Sequence, residues 1–201
     1  MDTGVTDVVF GLDGLLVQWD GRLPIVGQYP QSIADMMLNP SDEWGMGFHL
    51  AMLESGWDEE RVLASYEKHH GPAIAWVLRM YLEHEVDGFV GMMPGMSKVL
   101  RDLNSAGIRL WQLANATSKH WKLAQRRFSE LRMFQDAVIS ADEGLRLPDP
   151  VLVRRAISRF DVDPDTTVFI YNDERIVKTL ENLGLQAIMF TDADALHSKL
   201  I

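Results

Sequence analysis

The spacing of the hydrophobic residues divides this chain into three stretches. The segment VVFGLDGLLVQWD, residues 8–20, opens with an apolar run that predicts a buried β-strand, and the run breaks at Gly11 into a turn. In residues 30–86 the apolar positions recur at helical spacing only, with Asp42 and Asp58 as expected helix N-caps. From Pro94 onwards, helical and strand patterns alternate.

This alternation predicts a parallel sheet with helices on both of its faces. The strands are expected in IRLWQLAN, DAVIS, TTVFIYND and QAIMF, and helices near residues 96–106, 117–131, 150–160 and 174–183. Strands that are joined by crossover helices pair in parallel. The expected fold is therefore α/β and Rossmann-like, with residues 1–20 and 90–201 as a core domain and residues 21–89 as an inserted all-helical cap.

The composition excludes several classes of function. The 201 residues are 47% hydrophobic, which is enough for a sizeable core, and the net charge of -10 disfavours nucleic acids and anionic membranes as partners. The absence of cysteine excludes disulfides, thiolate metal sites and a cysteine nucleophile. The opening MDTGVTDVVF lacks the basic start and long apolar core of a signal peptide, so we expect a cytoplasmic protein.

Ligands bind parallel sheets at the carboxyl ends of the strands, which directs attention to three positions. These are residues 11–13 after the first strand, Asn115 after the second, and residues 171–173 after the fourth. The six histidines show no serine or aspartate arrangement typical of a catalytic triad. The histidines, His120 among them, are expected to have helix-surface or packing roles.

In these segments the chain resembles the haloacid dehalogenase-like (HAD) hydrolase superfamily, in particular the small capped phosphatases and dehalogenases. The resemblance rests on VVFGLDGLLVQWD, PGMSKVLRDLNSAGIRLWQLAN, ISADEGLRLPDP and TTVFIYNDERIVKTLENLGLQAIMF, in that order and spacing. It implies that an aspartate at the tip of the first strand attacks the substrate and forms an aspartyl-phosphate or an alkyl ester. A lysine and a magnesium-binding acidic pair are then expected to act with that aspartate.

The charged groups that the resemblance implies are missing from their positions. The nucleophile falls on Gly11, the lysine before PDP falls on Leu147, and the acidic pair falls on Tyr171 and Asn172. The absence of the lysine agrees with the absence of the aspartate, because a buried lysine without its carboxylate would destabilise the folded protein by about 3–5 kcal/mol. We therefore predict a degenerate site with no intact catalytic residue, no metal site and no cofactor, although magnesium is usual in the family.

Several polar residues nevertheless remain near these strand ends. Asp13 stands where many phosphatases of the family keep a general acid or base, and Asn115 matches the family although Ala114 replaces the serine or threonine before it. Asn115 is expected to hold a loop, and Asp13 is also a good turn residue. The alternative is a rearranged acid set or relocated metal site built from Asp13, Asp142, Glu143 and Asp173.

The predicted function is a binding or regulatory protein on a hydrolase scaffold, with an unidentified small molecule or protein at the cap-core cleft. The alternative is an active HAD-like hydrolase of a small phosphate ester or organohalide that uses the rearranged acids. Because interiors tolerate few voids, we expect the Tyr171 ring to lie over Gly11 and to pack toward Leu147. Its hydroxyl is expected to bond to Asn115, to Asp13 or to water.

Overall fold

The computed structural model describes residues 4–200. The strands are β1 (Asp7–Phe10), β2 (Val17–Trp19), β3 (Phe89–Met92), β4 (Arg109–Ala114), β5 (Asp136–Ile139), β6 (Thr167–Tyr171) and β7 (Gln186–Met189). The α-helices are α1 (Gln31–Met37), α2 (Met46–Glu54), α3 (Glu59–His70), α4 (Pro72–Glu83), α5 (Met96–Ser105), α6 (Ser118–Arg127), α7 (Ser140–Glu143), α8 (Pro150–Phe160), α9 (Glu174–Asn182) and α10 (Ala193–Leu200). Short 3-10 helices occupy Glu85–Gly88, Ser129–Met133 and Pro164–Thr166.

A parallel sheet of five strands forms the centre of the fold, in the order β5-β4-β1-β6-β7. The middle strand, β1, is completely buried, as its continuous apolar run predicts. Val9 pairs with Trp111 of β4 on one side and with Phe169 of β6 on the other. The predicted α/β fold with a parallel sheet is confirmed, and β1 and β6 end side by side.

Helices cover both faces of this sheet. Val8 and Phe10 belong to a buried cluster that includes residues of α5, α6 and α10, whereas Val9 belongs to a cluster that includes residues of α8 and α9. Successive strand residues point to opposite faces, so a strand buried on both faces is apolar at consecutive positions, as Val8, Val9 and Phe10 are. The buried Asp7 at the start of β1 is paired with Arg109 at 2.7 Å. The continuous apolar run of β1 is therefore explained by the position of this strand between two layers of helices.

Four helices, α1 to α4, lie between β2 and β3 and share a third hydrophobic cluster. β2 and β3 form a separate antiparallel pair at the base of these helices, with Val17 opposite Met92. The sequence pattern did not reveal this pair, because three or four residues are too few to show a period of two. The exact division at residues 20/21 and 89/90 remains a prediction.

The two predicted N-caps of the helical segment differ in outcome. Asp58 caps α3 and accepts a hydrogen bond from the Arg61 N–H at 2.7 Å, as predicted. The prediction for Asp42 is wrong, because α2 begins at Met46. The Asp42 carboxylate instead accepts a hydrogen bond from the Trp44 N–H at 3.1 Å, as aspartate commonly does in turns.

No helix within residues 4–200 is both long enough and apolar enough to cross a membrane.

Candidate functional site

The position of the expected nucleophile lies beneath an aromatic ring. The Gly11 N–H donates to the Ile170 carbonyl at 3.1 Å, which places Gly11 beside the end of β6. A Cβ atom on Gly11 would lie 3.0 Å from Cδ1 and 3.2 Å from Cε1 of Tyr171. Because Tyr171 is only 2% exposed and cannot move into solvent, Gly11 is the residue that leaves room for this ring.

The Tyr171 ring crosses β1 and reaches β4. Its hydroxyl donates to the Leu113 carbonyl at 2.8 Å. The predicted place of the ring is correct, and Tyr171 shares a buried cluster with Leu147, but the predicted hydroxyl partners are wrong. The sheet order explains the difference, since a ring that leaves β6 over β1 meets the backbone of β4 next. Burial raises the pKa of the Tyr171 phenol, which keeps it a neutral donor.

Asn115 holds the loop that carries Leu147. Its Oδ1 accepts from the Leu147 N–H at 2.7 Å, and its Nδ2 donates to the Leu147 carbonyl at 3.0 Å. This pair of bonds satisfies both backbone groups of a residue that is 5% exposed. Asn115 therefore has the structural role expected of it, and the neighbouring Ala114 is buried at the end of β4.

The residues at the expected acidic pair have structural partners too. Asn172 Nδ2 donates to the Asp13 carbonyl at 3.2 Å. Asp173 caps α9 by accepting from the Arg175 N–H at 2.8 Å, and its carboxylate pairs with the Arg175 guanidinium at 2.7 Å. The hydrogen bond from the Arg175 side chain lowers the pKa of Asp173. Both side chains thus tie the loop after β6 to its surroundings.

His120 is the residue that sequence reasoning missed. Its Nδ1 lies 2.7 Å from Glu85 Oε1, and its Nε2 lies 3.1 Å from the Asp13 carboxylate. Burial alone would lower its pKa, but the hydrogen bonds and charges of the two carboxylates outweigh this and raise it to about 10. His120 is therefore a buried imidazolium that donates to both acids. The predicted surface role is wrong, whereas a packing role fits its contacts with the rings of Trp19 and Phe89, but the ion pairs were not expected.

A cavity of about 70 Å³ lies beside Asp13, Glu85 and His120, between the helices of the cap and the core. Ion pairs cross this boundary. Arg146 Nη2 lies 2.6 Å from Glu54 Oε2, and Lys119 Nζ lies 3.1 Å from Glu59 Oε1. Burial raises the pKa of the Glu54 carboxyl, and the nearby Arg146 only partly offsets this. The cavity thus joins polar residues that are far apart in the sequence.

The acids of the alternative set do not converge on one point. Asp13 pairs with His120 and Asp173 with Arg175, while Glu143 pairs with Arg155 at 3.0 Å. The fourth, Asp142, accepts from Ser118 Oγ at 2.5 Å. Within residues 4–200 no group of three or more histidine or acidic residues could hold a metal ion. Magnesium needs several oxygen ligands that converge on one point, so the donors in this arrangement do not fit it.

Comparisons with known proteins agree with this fold. A model of haloacid dehalogenase-like hydrolases matches residues 8–184. Among curated proteins, the chain is similar to (DL)-glycerol-3-phosphatase 1, mitochondrial, of Arabidopsis thaliana, with 30% identity over 110 residues. This region is 51% of the present chain and 36% of that protein, so the chain matches little more than a third of its relative's length.

Solved structures of the same fold include proteins from two species of bacteria. A protein described as a predicted HAD-like family hydrolase, from Porphyromonas gingivalis, has a TM-score of 0.76 at 20% identity and covers 98% of both chains. A HAD family enzyme from Bacteroides thetaiotaomicron, crystallised as a variant in complex with magnesium and inorganic phosphate, has a TM-score of 0.72 at 16% identity. That match covers 94% of the present chain and 95% of the other.

The expectation of no cofactor is wrong for this fold, because solved structures of the fold contain magnesium. The predicted family, in contrast, is confirmed by the match of residues 8–184 to the family's sequence model, and the solved structures have the same fold. Since the family's sequence model matches most of the sequence, the chain belongs to the haloacid dehalogenase-like hydrolase family.

Proposed function

We propose that this chain is a HAD-like protein that has lost hydrolase activity and that binds a small molecule or a protein between its cap and core. The observation that carries the proposal is the Tyr171 ring over Gly11, whose would-be Cβ lies 3.0 Å from the ring. The resemblance assigns a covalent nucleophile to this position, and glycine offers no side chain that could form an ester. The space for such a side chain is filled.

The surroundings support the same proposal. Hydrolysis through an aspartyl ester needs cationic groups aimed at the substrate anion. At the position of the family's lysine, Leu147 is buried in the same apolar cluster as Tyr171, and Asn115 is bonded to the Leu147 backbone. Restoring one charge in such a unit recovers little activity, because its members act together.

An active hydrolase is the second candidate, and the similarity to a glycerol-3-phosphatase favours it. In that case Asp13 and His120, which face each other at 3.1 Å beside the cavity, are the groups available for proton transfer. His120 is poorly suited to act as a base at neutral pH, because its pKa of about 10 keeps it protonated.

Turnover measurements distinguish the two candidates. We expect purified wild type to release phosphate from p-nitrophenyl phosphate and glycerol 3-phosphate, and halide from 2-chloropropionate, no faster than a buffer control. Each substrate is tested with and without millimolar magnesium. The matched variant is Asp13→Asn, which removes the one carboxylate of the first strand end. Magnesium-dependent turnover that disappears in Asp13→Asn contradicts the loss of activity, whereas turnover equal in both proteins identifies a contaminating enzyme.

A further inference from the structure

The charged residues that line the cavity between cap and core are mainly acidic. Among the described residues, one cationic side chain lines it, that of His120, and both ring nitrogens of His120 face carboxylates. The other charged lining residues are all acidic: Asp13, Glu54, Glu59 and Glu85. Four carboxylates against one imidazolium leave an excess of negative charge at the wall.

The cations just outside the lining do not reverse this excess. Lys119 Nζ donates to Glu59 at 3.1 Å and to the Leu82 carbonyl at 2.7 Å. Arg146 Nη2 lies 2.6 Å from Glu54. Counting both, the four carboxylates still exceed the three cations by one charge. A phosphate dianion in this cavity would be repelled by the wall and would have to break existing ion pairs.

The uncharged part of the wall is mostly aromatic and aliphatic, with the polar Asn115 and Thr117 beside it. Trp19 and Tyr81 line the cavity together with leucines of α2 and α4. Aromatic rings attract cations electrostatically, and most strongly where water is excluded. Burial raises the pKa of the Tyr81 phenol, and the charges of Glu85, Asp13 and Glu54 raise it further. The same negative potential that discourages ionisation of Tyr81 would stabilise a bound cation.

We propose that this cavity binds a small organic cation, namely an ammonium group on a short aliphatic body, and that it rejects phosphate esters. The volume of about 70 Å³ has room for about five water molecules, which is the size range of ethanolamine and choline. The inference rests on the proposed function in one respect only, since it treats the cavity as a site of binding rather than of hydrolysis.

Calorimetric titration with three probes at constant ionic strength tests the ligand class. Choline supplies the cation, 3,3-dimethylbutan-1-ol is its uncharged analogue of nearly equal shape, and inorganic phosphate is the anion. We expect choline to bind at least about tenfold more tightly than the alcohol, which corresponds to one favourable charge interaction, and phosphate not to compete with it.

Two adjacent glutamates provide a matched pair of variants. Glu59 lines the cavity, whereas Glu60 points to the surface and pairs with Arg79 at 3.3 Å. Glu59→Gln removes one wall charge and frees Lys119, so choline should bind about threefold more weakly or worse. Glu60→Gln removes the same charge from the same turn of α3 and should leave the affinity unchanged. Circular dichroism spectra check that both variants fold as the wild type does.

Each contrary result has a definite meaning. Equal binding of choline and the alcohol, competition by phosphate, or equal losses in Glu59→Gln and Glu60→Gln would overturn the ammonium site. Failure of choline to bind at tens of millimolar would also overturn it, without affecting the proposed loss of hydrolysis. Turnover of a phosphate ester would refute the proposed function and is measured separately.

Discussion

Gly11 and Asp13 are only two residues apart in the loop after β1, yet they belong to two regions of opposite polarity. Gly11, Leu147 and Tyr171 form the Tyr171 plug, an apolar and filled space at the position of the family's nucleophile. Asp13, Glu85 and His120 form the charged triad, which lies beside an open cavity. The first region is filled by apolar packing, whereas the charged side chains of the second region are paired with one another.

The comparison shows two ways in which a buried region avoids an unpaired charge. A buried ion pair that loses one partner is strongly destabilised. The Tyr171 plug contains no charged side chain, and the hydroxyl of Tyr171 donates its hydrogen bond to the Leu113 carbonyl. In the charged triad one imidazolium is paired with two carboxylates, and removal of either the cation or the anions would destabilise the folded protein.

The largest effect is expected from putting charge back into the Tyr171 plug. Gly11→Asp forces a side chain against the Tyr171 ring and buries a carboxylate that has no cation beside it. Overpacking typically costs 1–3 kcal/mol, so with the buried charge we expect a loss of about 4 kcal/mol of unfolding free energy. Urea unfolding followed by circular dichroism measures this loss.

Two further variants sharpen this result. Gly47→Asp introduces the same side chain in the first turn of α2, where a Cβ would meet nothing within 4 Å, and should change stability by less than about 0.5 kcal/mol. Gly11→Asp/Tyr171→Ala should be at least about 1 kcal/mol more stable than the sum of its single variants predicts, because the clash is removed. Strict additivity, or a neutral Gly11→Asp, would show that the ring does not fill this space.

The next largest effect belongs to the charged triad and depends on pH. The pKa of His120 rises from an ordinary 6.5 to about 10 in the folded protein, so protonation favours folding. Its contribution is fully present below pH 6.5 and is lost as the pH rises through 10. We expect the loss across this range to be on the order of 3 kcal/mol.

Unfolding free energies at several pH values between 7 and 10 test this expectation. The pH dependence should be much weaker in His120→Gln, which cannot be protonated. His84→Gln is the matched control, because His84 is 59% exposed and has only a distant contact to Asp87, at 3.6 Å. If wild type and His120→Gln lose stability in parallel as the pH rises, the buried imidazolium does not exist and the contrast between the two regions disappears.

The same contrast explains what the sequence could predict. The apolar run of β1 and the helical spacing of α5, α8 and α9 are local patterns, and they led to the correct sheet and layers. The place of the Tyr171 ring followed from the strand order expected for this fold and from the space that Gly11 and Leu147 leave beside it. Its hydroxyl partner did not, because the partner depends on how far the ring extends across β1.

The charged triad could not be predicted from spacing. Asp13, Glu85 and His120 come from a strand end, the base of the cap and a core helix, and no local pattern connects them. A histidine at the start of an amphipathic helix looks like many others, and its pKa is set by partners 107 and 35 residues away. Packing periodicity therefore reveals the scaffold, whereas the polar groups of the cavity depend on the tertiary structure.

The smallest effect concerns Asp173, the acid that lies one place after the expected magnesium-binding pair. It caps α9 through the Arg175 N–H, just as Asp149 caps α8 through the Val151 N–H, both at 2.8 Å. If capping is its whole role, Asp173→Ala and Asp149→Ala should each lose about 1 kcal/mol of unfolding free energy near neutral pH.

The pH dependence of this last effect has the opposite sign to that of His120. The lowered pKa of Asp173 means that its ionised form favours folding, so its contribution is present above pH 3.8 and disappears as the pH falls through the folded value. The comparison with Asp149→Ala at neutral pH decides the role. A loss in Asp173→Ala several times larger than in Asp149→Ala, or a melting temperature that rises with millimolar magnesium in wild type but not in Asp173→Ala, would show that Asp173 does more than cap a helix.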